Sequence, residues 1–166
     1  MTPLQQQVSQ EYSEWRDDVY RYLVTLGLRP QLAQEATQEV FLRLYTALRQ
    51  QQEPIRNRRA WLFRVAHNLG LTMRSAEASL DSLQPEHEAV LTDQGHSQEK
   101  ALLEGERLAR VEQAVLSLSA QQRQCLYLRA EGMRYQEIAA TLGIGVSTVS
   151  EFLKRAVLRL RKAVYE

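Results

Sequence analysis

The stretch "EGMRYQEIAATLGIGVSTVSEFLKRA", Glu131 to Ala156, constrains the fold of this chain more than any other. Two short amphipathic runs flank Gly143 and Gly145, and the second becomes basic along its length. Tyr135 to Leu142 predicts a short helix with Ile138, Ala139 and Leu142 on its inner face, closed by Gly143. A longer helix is expected from near Ser147 to about Val164, with Val149, Leu153, Ala156, Leu160 and Val164 as its buried stripe. Ile144 packs the turn between them. Together they make a helix-turn-helix. Ser147, Glu151, Lys154, Arg155, Arg161 and Lys162 fall on the other side of the second helix. A structural hairpin with a merely solvated basic face is the plainer alternative. The glycine-punctuated turn and the gathering of cations on one face favour DNA binding.

The upstream sequence reads as further helices, broken by one loop and one linker. Ser119-Ala-Gln-Gln122 fits a capping box, and the helix it opens is expected to stop at Gly132 in a left-handed cap. Ser97 with Gln98 and Glu99 predicts the start of another helix, reaching Leu118. Nearer the N-terminus a helix is expected from Ser13 to Leu28, ended by Gly27 and Pro30. The next runs from about Gln31 to Gln50, with Ala33, Ala36, Val40, Phe41, Leu44, Ala47 and Leu48 on one arc. Its opposite side holds Gln34, Glu35, Gln38, Glu39 and Arg49, together with Leu42 and Tyr45. Pro54 interrupts, giving the loop "QQEPIRNRR". A third helix from about Arg59 to Ser75 follows, with Leu62, Val65, Ala66, Leu69 and Met73 inward and Trp61, Arg64 and Asn68 projecting together. Residues 76–96 lose periodicity and gather Ser, Asp, Glu, Pro85 and Gly95, the pattern of a linker.

Leu, Ala, Gln, Glu and Arg dominate, against seven glycines and four prolines. The fold class is therefore all-α: two small helical bundles, 1–76 and 105–166, joined by a flexible acidic linker, 77–104. Charge divides along the same lines. Residues 54–74 hold five arginines and no carboxylate, residues 75–112 nine carboxylates against three cations, and residues 113–166 eight cations against four carboxylates. Two basic segments separated by an acidic one suggest two nucleic-acid-facing modules.

Several functions are excluded at this stage. The single cysteine, Cys125, allows no intrachain disulfide and fits a reducing cytoplasm. It lies among Leu126 and Leu128 as a small buried hydrophobe. His67, His87 and His96 lack partners at metal-ligand spacing, so neither a metal nor a cofactor is expected. No nucleophile has a convincing base and no glycine-rich phosphate loop occurs, which argues against an enzyme. No window is apolar enough for a membrane span, and Met1 to Gln10 is polar, without the basic start of a secretory signal.

"LSAQQRQCLYLRAEGMRYQEIAATLGIGVSTV" resembles region four of bacterial RNA polymerase sigma factors of the extracytoplasmic-function group. "QEATQEVFLRLYTAL" and "RAWLFRVAHNLGL" resemble their region two. The resemblance covers about residues 12–76 and 110–164. It implies a promoter-specificity subunit whose partners are core RNA polymerase and promoter DNA, and it admits an anti-sigma factor as a third.

On that resemblance, Glu35, Gln38, Glu39, Leu42 and Tyr45 form the surface for the polymerase clamp, and Phe41 belongs to the core. An exposed Leu and Tyr gain most when a partner covers them, although one exposed leucine needs no special explanation. The basic loop and third helix match the element that captures the melted downstream promoter strand. That task needs cations for phosphates and planar groups for unstacked bases. Arg56, Arg58, Arg59 and Arg64 supply cations, while Asn57, Trp61, His67 and Asn68 are candidates for base contacts. Trp61 is equally consistent with core packing. For the upstream element, Ser147, Ser150 and Glu151 are the base-reading candidates, with Thr148 near the backbone. Lys154, Arg155 and Arg134 are expected on phosphates.

Two departures from the family pattern stand out. Thr72 and a lone Arg74 replace an Asp followed by arginines, and Ser150-Glu151-Phe152 replaces a more basic triplet. Glu151 is suited to accept from a cytosine amino group. These departures motivate one alternative, a sigma-like decoy that binds polymerase or a regulator but hardly binds promoters. A transcription factor of the response-regulator type is the other, and it lacks the two N-terminal motifs.

Overall fold

The computed structural model describes residues 1–51, 54–80 and 98–166. Seven α-helices and no strand occur among them. They separate into two compact units, Met1–Ala89 and Val90–Glu166. The first holds α1 (Pro3–Thr25), α2 (Pro30–Gln50) and α3 (Arg58–Leu80); the second holds α4 (Gln98–Leu116), α5 (Ala120–Ala130), α6 (Tyr135–Leu142) and α7 (Val146–Tyr165).

α1 begins ten residues before the expected Ser13, and the cause is local. Thr2 Oγ1 accepts from the Gln5 amide at 3.2 Å, while the Gln5 side chain accepts from the Thr2 amide at 2.9 Å. This is a reciprocal capping box with Pro3 in the first turn, where its missing N–H costs nothing. The far end closes in a Schellman motif, Leu28 N–H to Leu23 O at 3.3 Å and Gly27 N–H to Val24 O at 3.0 Å. Leu23 and Leu28 are both buried, which completes that motif's apolar contact.

The three helices of unit 1 pack on one another around Val19, Leu23, Val40, Leu44, Leu62 and Phe63. Each fully buried Leu or Phe contributes about 1.5–3 kcal/mol of transfer free energy. The inner face of α3 is rotated from the expected one. Phe63 and His67 are buried with Leu62, Ala66 and Gly70, whereas Val65, Leu69 and Met73 are only half-buried. Gly70 lets α3 lie close on the end of α1, since a Cβ there would meet Leu23 Cδ2 and Leu26 Cδ1 at 2.9 Å. α3 also continues past Ser75. Arg74 donates to the Leu26 carbonyl at 2.9 Å, and Arg29 pairs with Glu77 at 2.7 Å. Of the stretch expected as linker, residues 77–80 therefore belong to α3 and 98–104 to α4, while 81–97 lie outside the described residues.

In unit 2, α4, α5 and α6 all pack against α7. The Ser119–Gln122 capping box forms as expected, with bonds of 3.1 and 3.2 Å. Gly132 and Gly143 sit at φ of +88° and +70°, left-handed conformations that a side chain disfavours, and they end α5 and α6 at the expected points. Val149, Leu153 and Ala156 are buried along α7, with Leu160 and Val164 half-buried. Cys125 is wholly buried, and burial pushes its thiol up to about 11, which fits the small packed hydrophobe expected there.

Candidate nucleic-acid interfaces

On α2 the outward residues share one face because 35, 38, 39, 42 and 45 follow the helical repeat. Glu35 and Gln38 are exposed, Glu39 and Tyr45 half-buried, and Leu42 is 59% exposed. Glu39 pairs with Arg43 at 3.0 Å on the rim of that face. The opposite side of the helix carries the buried Ala36, Val40 and Leu44. An exposed leucine flanked by carboxylate, amide and phenol is a surface suited to a partner with matching apolar and basic groups.

The basic loop and α3 divide into a free and an occupied set. Arg56, Arg64 and Asn68 are exposed, and Trp61 is half-buried one turn before Arg64. Asn57 is the N-cap of α3: its Oδ1 accepts from Ala60 N–H at 3.1 Å and its carbonyl from Trp61 N–H at 3.0 Å. Arg58 and Arg59 are engaged within the unit. Arg58 pairs with Glu11 of α1, and Arg59 with Asp18 at 3.2 Å. The Arg59 guanidinium also lies 5.9 Å from the Trp15 ring centre and 5.6 Å from that of Phe63. Trp15 and its acidic neighbours were not among the expected site residues. Their spacing of four and three along α1 was the available signal, but nothing local linked it to a loop forty residues away.

His67 corrects an expectation. It is 3% exposed, and its Nδ1 shares a 2.7 Å hydrogen bond with the buried Tyr22 hydroxyl. Burial lowers its pKa below the ordinary 6.5, so the ring is neutral at physiological pH. The side chain faces the core and does not reach a base. Apolar surroundings and a satisfied ring nitrogen make it a structural histidine.

In unit 2 the second helix of the hairpin presents Ser147, Glu151 and Lys154 outward, with Thr148 and Ser150 half-buried beside them. Gly145 is the N-cap and supplies no side-chain acceptor to the first turn of α7, which suits a phosphate there. Arg155 is exposed but pairs with Glu151 at 2.8 Å, one helical turn away. Such an exposed pair is worth no more than about 1 kcal/mol and breaks readily. Arg134 is exposed at the start of α6, its backbone N–H accepted by Glu137 at 2.9 Å. Two further cations of this unit are engaged within it. Arg159 donates to the Ser117 carbonyl at 2.6 Å, and Arg129 donates to the Met133 carbonyl at 3.0 Å and lies over the Tyr135 ring.

Among the described residues no group of three or more His, Cys, Asp or Glu is placed to hold a metal, and no helix is long and apolar enough to cross a membrane.

Comparison with known proteins follows the same division. Residues 12–79 match Sigma-70 region 2, and residues 108–160 match Sigma-70, region 4. Over 156 residues the chain is 24% identical to the ECF RNA polymerase sigma factor SigK of Mycolicibacterium vanbaalenii, covering 92% of this chain and 79% of that protein. It is 30% identical over 149 residues to SigE of Mycolicibacterium smegmatis, covering 87% of this chain and 56% of that longer protein. The fold resembles the sigma factor RpoE of Bartonella quintana, solved with the anti-sigma factor NepR, with a TM-score of 0.71 at 22% identity over 94% of this chain and 95% of that one. It also resembles CnrH, solved with the cytosolic domain of CnrY, with a TM-score of 0.62 at 24% identity over 95% and 87% of the two chains.

Proposed function

The chain is an extracytoplasmic-function sigma factor, and on that premise we propose how its two units divide the work of initiation. Such a factor binds core RNA polymerase, directs it to promoters and is not itself an enzyme. In our reading, unit 1 docks on the polymerase through Glu35, Gln38, Glu39, Leu42 and Tyr45 of α2. It takes the melted downstream strand on Arg56, Arg64, Asn68 and Trp61. Unit 2 reads the upstream element through Ser147, Ser150 and Glu151, with Lys154, Arg155 and Arg134 on phosphates and Thr148 near the backbone.

The observation that carries this reading is the pairing of two matched family regions, in order, with a separate outward cationic face on each. The chemistry is binding alone. Cations release counterions from phosphates, a ring or amide takes an unstacked base, and the groove contacts of α7 supply sequence selectivity. The protein acts in the cytoplasm, where polymerase and promoter are. An anti-sigma partner belongs to the same proposal, because both similar structures above were solved as complexes with regulatory chains.

Run-off transcription with purified core polymerase on a pool of genomic fragments tests it. Discrete new transcripts that depend on this protein are expected. Polymerase binding without any new transcript would give the function to the decoy reading, whose support is the internal pairing of Arg58, Arg59 and Arg155.

A further inference from the structure

Of the five arginines between residues 54 and 74, three make contacts inside unit 1, and two of these meet carboxylates of one helix. Glu11, Trp15 and Asp18 form a single stripe on α1, because spacings of four and three return to the same side of a helix. Glu11 takes Arg58, with side chains only 14% and 27% exposed. Glu11 Oε2 is buried without a hydrogen-bond partner, so Arg58 is the group that compensates this carboxylate. Asp18 Oδ2 takes Arg59, whose guanidinium lies against the Trp15 and Phe63 rings. Arg56 and Arg64 are exposed and make no ion pair among the described residues.

A carboxylate and a phosphate compete for the charge and donors of one guanidinium. An arginine already paired with a fixed protein carboxylate also has little to gain from a phosphate, since the attraction must first overcome the internal pair. We propose that Glu11 and Asp18 are positioning residues for single-strand capture. They hold Arg58 and Arg59 as internal ion pairs that a phosphate must displace, so α1 sets the affinity of the basic loop for melted promoter DNA. Glu11 is the stronger of the two holders because it is the more buried, and Asp18 also serves Arg21. This rests on the reading of the loop and α3 as a single-strand surface.

The test uses the full chain and a labelled, AT-rich single-stranded oligonucleotide, with anisotropy followed across a salt series. Glu11→Gln keeps the side chain's shape and removes its charge, and Asp18→Asn does the same. Together they should tighten binding at low salt and steepen the slope of log K against log salt by about 1.4, the value for two further phosphates on a single strand. Glu14→Gln is the control: Glu14 is exposed on the same helix, and its loss changes net charge without releasing an arginine. In the Glu11→Gln background, Arg58→Gln should abolish that variant's gain.

A structural role alone would lower the melting temperature and leave the salt slope unmoved. No gain in binding, or an equal gain from Glu14→Gln, overturns the proposal. Should Glu11→Gln unfold, Asp18→Asn alone carries the test with half the change in slope. Arg56→Gln with Arg64→Gln addresses the underlying reading separately. If that pair leaves binding unchanged, the single-strand surface is wrong. If it weakens binding while the acid variants do nothing, only the positioning role fails.

Discussion

Tyr22→Phe is the sharpest probe of how unit 1 holds α3 in place. The substitution deletes one oxygen and keeps the ring, so the edge contact with Phe63, 5.7 Å between centroids at 83°, survives. What is lost is the 2.7 Å bond to His67 Nδ1, in a site where the histidine is 3% exposed. A buried acceptor left without a partner costs about 1–3 kcal/mol. For a unit of this size that lowers the melting point by roughly 4–8 °C per kcal/mol. Both tryptophans, Trp15 and Trp61, lie in unit 1, so tryptophan fluorescence follows its unfolding while unit 2 stays silent. The pH dependence supplies a second readout. His67 has its pKa lowered from 6.5 by burial, so above pH 6.5 it is neutral in both states and stability is at its full value. As pH falls below 6.5 the unfolded chain takes the proton first. Stability then declines until the folded-state value is passed, with a slope of at most about 1.4 kcal/mol per pH unit. His67→Gln should remove this acid-dependent part. An unchanged fluorescence midpoint in Tyr22→Phe, or the same acid slope in wild type and His67→Gln, would refute the account.

Leu42→Arg should abolish capture by core polymerase in a pull-down with an unchanged circular dichroism spectrum, because the side chain is 59% exposed and supports no core. Arg58→Ala should destabilise unit 1 by about 3 kcal/mol in a urea titration, since removing one partner of a largely buried pair leaves Glu11 uncompensated. Arg56→Ala with Arg64→Ala should instead leave stability alone and reduce thymine reactivity to permanganate at the promoter. Lys154→Ala should lower the salt slope of duplex binding by about 0.9 for every sequence alike. Glu151→Lys adds a cation and frees Arg155, so affinity for scrambled duplex should rise while discrimination falls.

Local signals were legible and distant ones were not. The Ser119 box, the ends at Gly132 and Gly143, and α6 in full follow from residues within one turn of each feature. The early start of α1 was also encoded locally, by Thr2, Pro3 and Gln5. Between Pro3 and Ser13, however, Val8 is the only buried residue, so apolar periodicity carried no trace of that helix. The extension of α3 to Leu80 depends on Arg29, Leu26 and Gly27, nearly fifty residues upstream. The site divides in the same way. Outward positions on α2 and α7 follow from helical period. Which arginines are already partnered, and whether a histidine on a mixed face points in or out, depend on what another helix brings opposite them.

Helix α7 keeps its anchoring side and its outward side on different residues. Val149, Leu153 and Ala156 anchor it to the unit, while Ser147, Glu151 and Lys154 touch solvent and bear no part of that anchoring. Substitutions at the outward set are therefore nearly neutral for folding, within about 0.5 kcal/mol each. On the proposed reading of this face, a lineage carrying this chain is free to drift through many target sequences without passing through an unfolded ancestor. The same separation lets an engineer exchange those positions as a cassette, and choose them for the promoter alone.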